Sequence, residues 1–220
     1  MEKKTQFKIS QILLEIVVVT VGILIAFQLN NWKEVRASKD KEEKMLKEIK
    51  TNLALDLIDL RDNFSGHRMA LEHIESLQNS DPTFERNKVG GKFHSAFRDF
   101  IFSPQTSAFE TLKARGVDLI SNDSLRIEIL RLYDFDYVII EKIEENYAPS
   151  QFTHHYQYIV LNYYDKLQNG DIHWISSADV QNRLSLVRFE RQYVSRIYNE
   201  CIQKVEVLIS KINKEIQNEF

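Results

Sequence analysis

The stretch ILLEIVVVTVGILIAFQLNNW, residues 12–32, decides how the rest of the chain is read. From Ile9 to Leu29 the residues are mostly Val, Ile and Leu. A helix of about 21 residues at 1.5 Å each reaches roughly 31 Å, the thickness of a bilayer's hydrocarbon core. A core helix of that length in a water-soluble protein shows a polar face, and this one barely does. The run exceeds the roughly 7–15 apolar residues of a cleaved signal peptide, and no A-x-A-like site follows it. QLNNWKEVRASK, residues 28–39, reads as the exit from a bilayer, with Trp32 at headgroup level and Lys33 beyond it. The expectation is an uncleaved single-pass transmembrane helix over residues 9–32, preceded by a basic tail over 1–8.

Glu15 is the one acidic residue inside this run. Helix positions seven apart lie nearly in line, so Glu15 shares a face with Gly22, and Ala26 falls close to it. Gly22-x-x-x-Ala26 is a small-x-x-x-small pair, the pattern that lets membrane helices approach closely. A carboxyl group on that stripe would face a partner helix, either a second copy or another membrane protein. Two other readings stand beside this one. Glu15 lies about six residues, roughly 9 Å, inside the run and could reach back toward water. It could also couple to protons or ions.

Orientation is contested between two rules. The leading tail carries Lys3, Lys4 and Lys8, whereas the far flank carries Lys33, Arg36, Lys39, Lys41, Lys44, Lys47 and Lys50 among Glu34, Asp40, Glu42, Glu43 and Glu48. Counting bases places the large part of the chain in the cytoplasm. Long domains translocate largely regardless of charge, and a short basic tail before an early apolar helix is a signal-anchor arrangement. The second argument is preferred: a bacterial inner-membrane protein with its bulk in the periplasm.

The whole chain of 220 residues includes only 3 Pro, 6 Gly and 1 Cys, and its net charge of -3 gives no general attraction to nucleic acid. Few breakers among many Leu, Ile, Glu, Lys and Gln favour long helices. Leu46, Ile49, Leu53, Leu57, Leu60, Phe64, Leu71, Ile74 and Leu77 recur in steps of three and four, with His67 or Arg68 filling the one gap. This is a stalk helix over 33–80 that runs unbroken from the anchor. It stops at QNSDPTFERNKVGG, where Asn79, Pro82, Gly90 and Gly91 are breakers. Leu184, Val187, Val194, Ile197, Cys201, Val205, Leu208, Ile212 and Ile216 mark a return helix over 176–220, whose end brings Phe220 back toward the membrane.

A helical head over 81–175 lies between them. Phe93, Phe97, Phe100 and Ile101 fall at helical spacing; SPQTSAFETLKARG offers Ser103 as N-cap, Pro104 at the first helical position and Gly116 as the stop. A further helix opens at Ser121, Asn122 or Asp123 and is interrupted by Pro149, after which Tyr156, Ile159 and Tyr163 form another stripe. The fold class is all-α: an antiparallel bundle or coiled coil of about five or six helices, with helical hairpins near one end of a two-helix stalk.

The sequence supplies no catalytic residues, cofactor or metal. The histidines include an adjacent pair (His154, His155) and a pair six apart (His67, His73), not the i, i+4 spacing that two metal ligands on one helix need. Cys201 falls in the apolar phase of its helix, and the carboxylates single out no catalytic pair. Phe97, Tyr156 and Tyr163 could line a ligand groove in the head, although core packing is the simpler account.

LLEIVVVTVGILIAFQLNNWKEVR together with SPQTSAFETLKARGVDLISNDSLRIEILRLYD resembles a family of single-span membrane proteins of unknown function from Bacteroidota. The anchor matches E-I-x-x-V-x-x-G-I-L-I-A-x-Q-x-N-N-W, and the middle matches P-x-T-x-A-[FY]-x-x-L-K-x-x-G. The resemblance implies that Glu15, Gly22, Gln28, Asn30, Asn31 and Trp32 belong to a recurring anchor design, and it implies no activity. Three functional readings remain at this point. The first is a self-associating scaffold in the bilayer, or a member of a membrane complex. The second is a sensor or binding module with a ligand or partner in its helical head. The third is an ion-coupled accessory that uses Glu15.

Overall fold

The computed structural model describes residues 2–79, 86–169 and 171–219, and these contain no strand. Helix α1 spans Glu2–Gln78 without interruption, so the apolar stretch and the stalk are one rod. From Leu14 to Lys41 every side chain is exposed. Burial begins at Glu42, and from there the inward face of α1 follows a strict alternation of three and four: Leu46, Ile49, Leu53, Asp56, Leu60, Asn63, His67, Ala70, Ile74, Leu77. Leu57, Phe64 and Leu71 flank this seam half-buried, and His67 fills the gap that their spacing left open.

The last helix, α7 (Ala178–Glu219), runs antiparallel to α1. Its seam follows the same alternation through Val180, Leu184, Val187, Val194, Tyr198, Cys201, Val205, Leu208 and Ile212, with Arg191 in the one polar slot. The register is pinned by Gln78 Nε2 on Ser185 Oγ at 2.9 Å, Arg61 on Glu206 at 2.6 Å and Lys50 Nζ on Asn213 Oδ1 at 3.1 Å. Continuing that pairing, Glu219 falls level with about residue 44 of α1, and Phe220 lies outside the described residues.

The middle of the chain does not gather at one end of this pair, as expected; it lines the pair along its length. A descending leg consists of α2 (Arg86–Ala96), an irregular strap over 98–106 and α3 (Ser107–Arg115). Its contacts with α1 step down from Lys92 on Ser76 to Ser103 on Asp59, Gln105 on Asp56 and Ser121 on Glu42. An ascending leg then runs as one helical column from Asp123 to Gln168: α4 (Asp123–Arg131), α5 (Tyr137–Gln151) and α6 (Gln157–Gln168), joined by π turns at Leu132–Asp136 and Phe152–Tyr156. Lys211 on Glu128 at 2.5 Å and Arg183 on the His154 carbonyl at 2.6 Å hold that column antiparallel to α7. The result is an up-down-up-down bundle whose second leg is broken by the strap.

Four expectations change. Pro149 does not end its helix; the column passes it and continues into the π turn at Phe152–Tyr156. Gly90 and Gly91 lie inside α2, and Pro82 lies outside the described residues. Phe100 and Ile101 do not continue α2, which ends at Ala96. Ser103 and Pro104 do not start a helix, because Asp59 and Asp56 take the Ser103 and Gln105 amides; α3 opens at Ser107 and stops where expected, at Gly116 with φ 103°. Asn122 caps α4 by accepting from the Leu125 amide at 3.1 Å.

The described residues form two cores. The larger joins Leu46 to Leu60 of α1 with α3, α4, the start of α5 and the far half of α7. The smaller joins Ile74 and Leu77 with Phe93, Ile159, Val180 and Leu184. His67 and Arg191, the polar slots of the two seams, meet at 3.1 Å, and Arg191 also donates to the Arg98 carbonyl at 2.7 Å. Burial, then the Arg191 charge, lower the His67 pKa to about 3, so the ring is neutral. Because a guanidinium only donates, Nδ1 accepts and Nε2 carries the ring hydrogen. Breaking one side of such a pair leaves the other buried and unsatisfied. His67→Leu and Arg191→Leu should each cost about 2–3 kcal/mol in thermal unfolding, and the double variant should cost less than their sum. Additive losses would show that the pair does not act as a unit.

Candidate functional site

The strap crosses the groove between α1 and α5, and three carboxylates hold its backbone. The Phe102 amide donates to Glu144 Oε1 and Oε2 at 3.1 and 3.2 Å. The Ser103 amide donates to Asp59 Oδ2 at 2.9 Å, and the Gln105 amide to Asp56 Oδ1 at 2.6 Å. Pro104, between them, has no amide hydrogen to offer. Every backbone donor from 102 to 105 therefore ends on a carboxylate. The Gln105 carbonyl is held from the other side by Asn52 Nδ2 at 3.1 Å.

The remaining carboxylate oxygens are also engaged. Tyr137 donates its hydroxyl to Asp56 Oδ2 at 2.9 Å, Tyr198 donates to Glu144 Oε1, and Asn63 donates to Asp59 Oδ1 at 3.3 Å. Asp56 is fully buried, and burial pushes its pKa up to about 6 against the amide and tyrosine bonds that favour the charge. Burial likewise pushes Glu144 up to about 7, opposed by Tyr198 and the Phe102 amide. The phenols of Tyr133, Tyr137 and Tyr198 are all raised, first by burial and then by neighbouring carboxylates. With all six oxygens occupied by donors, the cluster is arranged to hold backbone.

The first π turn serves this site. The column's buried positions run Leu125, Ile129, Leu132 and Asp136 on one line and Tyr133, Tyr137 and Ile140 on the next, so the inward line slips by one residue across the turn. The turn aims Tyr137 at Asp56 and stacks Tyr133 on Phe109 at 4.4 Å, while Asp136 meets Lys204 of α7 at 2.6 Å. Phe102 packs edge-on against Tyr137 at 4.9 Å. Neither the strap nor the cluster was singled out from sequence. The available signal was Asp56, Asn63 and His67 standing at every-third-or-fourth positions between leucines.

The residues singled out from sequence lie elsewhere. Glu15, Gly22 and Ala26 are exposed on α1, and a methyl group built at Gly22 would meet nothing within 4 Å. Trp32 and Lys33 follow on the same rod, with the Arg36 guanidinium 5.9 Å from the Trp32 ring centre. Phe97 and Tyr156 come together at 5.2 Å, but Tyr163 instead meets Phe93, also at 5.2 Å. An open groove of about 480 Å³ lies in another place, between α4 and α7 over Leu132, Val207 and Leu208. Cys201 is buried, which raises its thiol to about 12. Among the described residues no three His, Cys, Asp or Glu side chains are placed to hold a metal ion.

The upper end of the strap is set by a close approach. A methyl group at Gly66 would fall 2.1 Å from Phe100 Cε1, so the ring seats only because residue 66 has no side chain. Gly66→Ala should expel Phe100 and cost about 1–3 kcal/mol in thermal unfolding. Gly91→Ala, which meets nothing within 4 Å, should instead gain about 0.5–1 kcal/mol as a helix-interior glycine. Equal effects at the two positions would remove the close-approach explanation.

No curated protein and no solved structure matches this chain. The DUF6090 family, a family of unknown function, matches residues 15–149, from Glu15 through the strap and all three of its carboxylates, and the chain belongs to it.

Proposed function

We propose that the protein is a single-pass inner-membrane protein with its bundle on the periplasmic side. It acts as a structural or scaffolding component that self-associates, or joins another membrane protein, through Glu15, Gly22 and Ala26. One observation carries the reading. The helix long and apolar enough to cross a membrane keeps its apolar stretch from Leu14 to Leu29 outside the bundle, every one of these side chains exposed. Leu14, Val19, Ile23 and Phe27 are each more than half exposed, an apolar surface far larger than a soluble monomer carries. A bilayer supplies the cover, with Trp32 and Lys33 at its edge. The chemistry of the chain supports holding and spacing; we assign it no catalytic role.

A second reading, a membrane-anchored sensor or binding module, draws on the strap. Ile101 stands 69% exposed between Phe100 and Phe102 and is presented on a backbone that the carboxylates fix. A role for Glu15 in ion coupling rests only on its place within the apolar stretch.

The test uses the full chain in lipid nanodiscs or mild detergent. Gly22→Cys should form an intermolecular disulfide under mild oxidation, while the buried native Cys201 stays unreactive, and Gly22→Leu should shift the particle to monomer mass by light scattering. A monomeric wild type, with no cross-link at position 22, would sink the self-association reading.

A further inference from the structure

We infer that Asp56 and Glu144 are a proton-operated latch on the strap: protonated, they hold residues 102–105 against α1 and α5, and their joint ionisation releases that segment. The inference concerns the bundle alone and does not rest on the scaffold reading.

The geometry suits both states of the carboxyls. Each holds one strap amide and one tyrosine hydroxyl: Asp56 has Gln105 and Tyr137, and Glu144 has Phe102 and Tyr198. A hydroxyl can donate or accept. With a proton on the tyrosine-facing oxygen, the carboxyl donates to the tyrosine and still accepts the amide on its other oxygen. Protonation therefore removes a charge while each carboxyl keeps its strap amide and its tyrosine, although Glu144 gives up one arm of its fork on the Phe102 amide and each tyrosine gives up its own donation.

Among the described residues, ionisation meets no compensating cation. On α1 the neighbours are Asp59, the neutral Asn63 and the neutral His67; on the ascending column they are Tyr133, Tyr137 and Glu141. On α7 they are Tyr198 and the Cys201 thiol. The cations nearby are committed elsewhere: Arg191 to His67 and the Arg98 carbonyl, with Asp99 of the strap beside it, and Lys204 to Asp136. The charged groups acting on Asp56 and Glu144 are all carboxylates, and each disfavours a further negative charge.

The direction follows from the raised carboxyl pKa values. Asp56 moves from 3.8 to about 6 and Glu144 from 4.5 to about 7, so the closed strap holds protons that an opened one releases. The closed state is favoured in full below about pH 4, and that preference is lost as pH rises through about 6 and then 7. Because Asp56 and Asp59 stand on α1, release frees a face of the same helix that carries the apolar stretch.

Hydrogen exchange with mass spectrometry on the full chain in nanodiscs tests this, with rates corrected for the intrinsic pH dependence of amide exchange. A peptide covering 98–106 should exchange at least about tenfold faster at pH 8 than at pH 5.5, while a peptide from the smaller core, 180–190, stays unchanged. Asp56→Asn with Glu144→Gln should flatten the strap's response, and circular dichroism checks that the double variant is folded. If it is not, the wild-type titration alone decides. A corrected strap rate independent of pH, a rise shared by 180–190, or an undiminished slope in a folded double variant would overturn the latch.

Discussion

A carboxyl group buried in the middle of an apolar seam must be given hydrogen-bond donors, and satisfying Asp56 organises the bundle. Asp56 stands where the alternation of α1 calls for a leucine, and it is fully buried. No ladder of helix amides can reach it, because those amides are already bonded within their own helices. The donors come instead from a segment that gave up helicity. The strap's irregular backbone leaves its amides free, and Asp56, Asp59 and Glu144 take them. This explains why the second leg of the bundle is broken where SPQT would otherwise start a helix. It also explains the π turn opposite, which shifts the column by one residue and brings Tyr137 onto the second oxygen of Asp56.

The same logic governs the other polar slots. Glu42, the first buried residue of α1, accepts both the amide and the hydroxyl of Ser121 and so ties down the turn between α3 and α4. His67 and Arg191 interrupt two apolar seams and meet only when α1 and α7 are in one register; a shift by a turn would set His67 against Val187 or Val194 and Arg191 against Asn63 or Ala70. Polar residues on a helix seam specify alignment at some cost in stability, and here they do so at three levels of one rod.

These relations set what was legible in the sequence. The long helices, the unbroken exit from the apolar stretch, the Gly116 stop and the return of α7 follow from periodicity and breakers, which are local. The apolar stripe of α1 leaves one gap open to His67 or Arg68, and His67 takes it; Asp56 and Asn63 stand out only when polar residues at seam positions are weighed with the apolar ones. The strap was misread for a related reason. Ser-Pro followed three residues later by a helical run is a sound local start signal, and it lost to carboxylates more than forty positions away. Pro149 likewise predicts a break only if nothing supports the column beyond it, and α7 does. At the strap, non-local hydrogen bonds outweighed a local cap preference of about 1 kcal/mol; an interior proline costs more, about 3 kcal/mol, and the column passes it all the same.

The anchored reading has a geometric requirement that the bundle meets. Glu42 lies ten positions beyond Trp32, so about 15 Å of solitary helix, the nine residues Lys33 to Lys41, stands between the membrane edge and the first buried residue. It is continuous with helix at both ends, so it needs no nucleus of its own. Phase carries through it. At about 100° per residue, Glu15, Gly22 and Ala26 lie roughly opposite the seam of Leu46, Ile49 and Leu53. The same outward line continues through Thr51, Ile58, Ser65 and Met69, all exposed, with Leu55 beside it. The other legs of the bundle pack mainly on the seam side, α2 reaching round to Ser76 at the end far from the apolar stretch. Two copies that brought their Gly22 faces together would therefore meet along bare α1 helices, with their bundles projecting away from each other. Had the small residues been in phase with Leu46, the bundles would have collided before the anchors could touch.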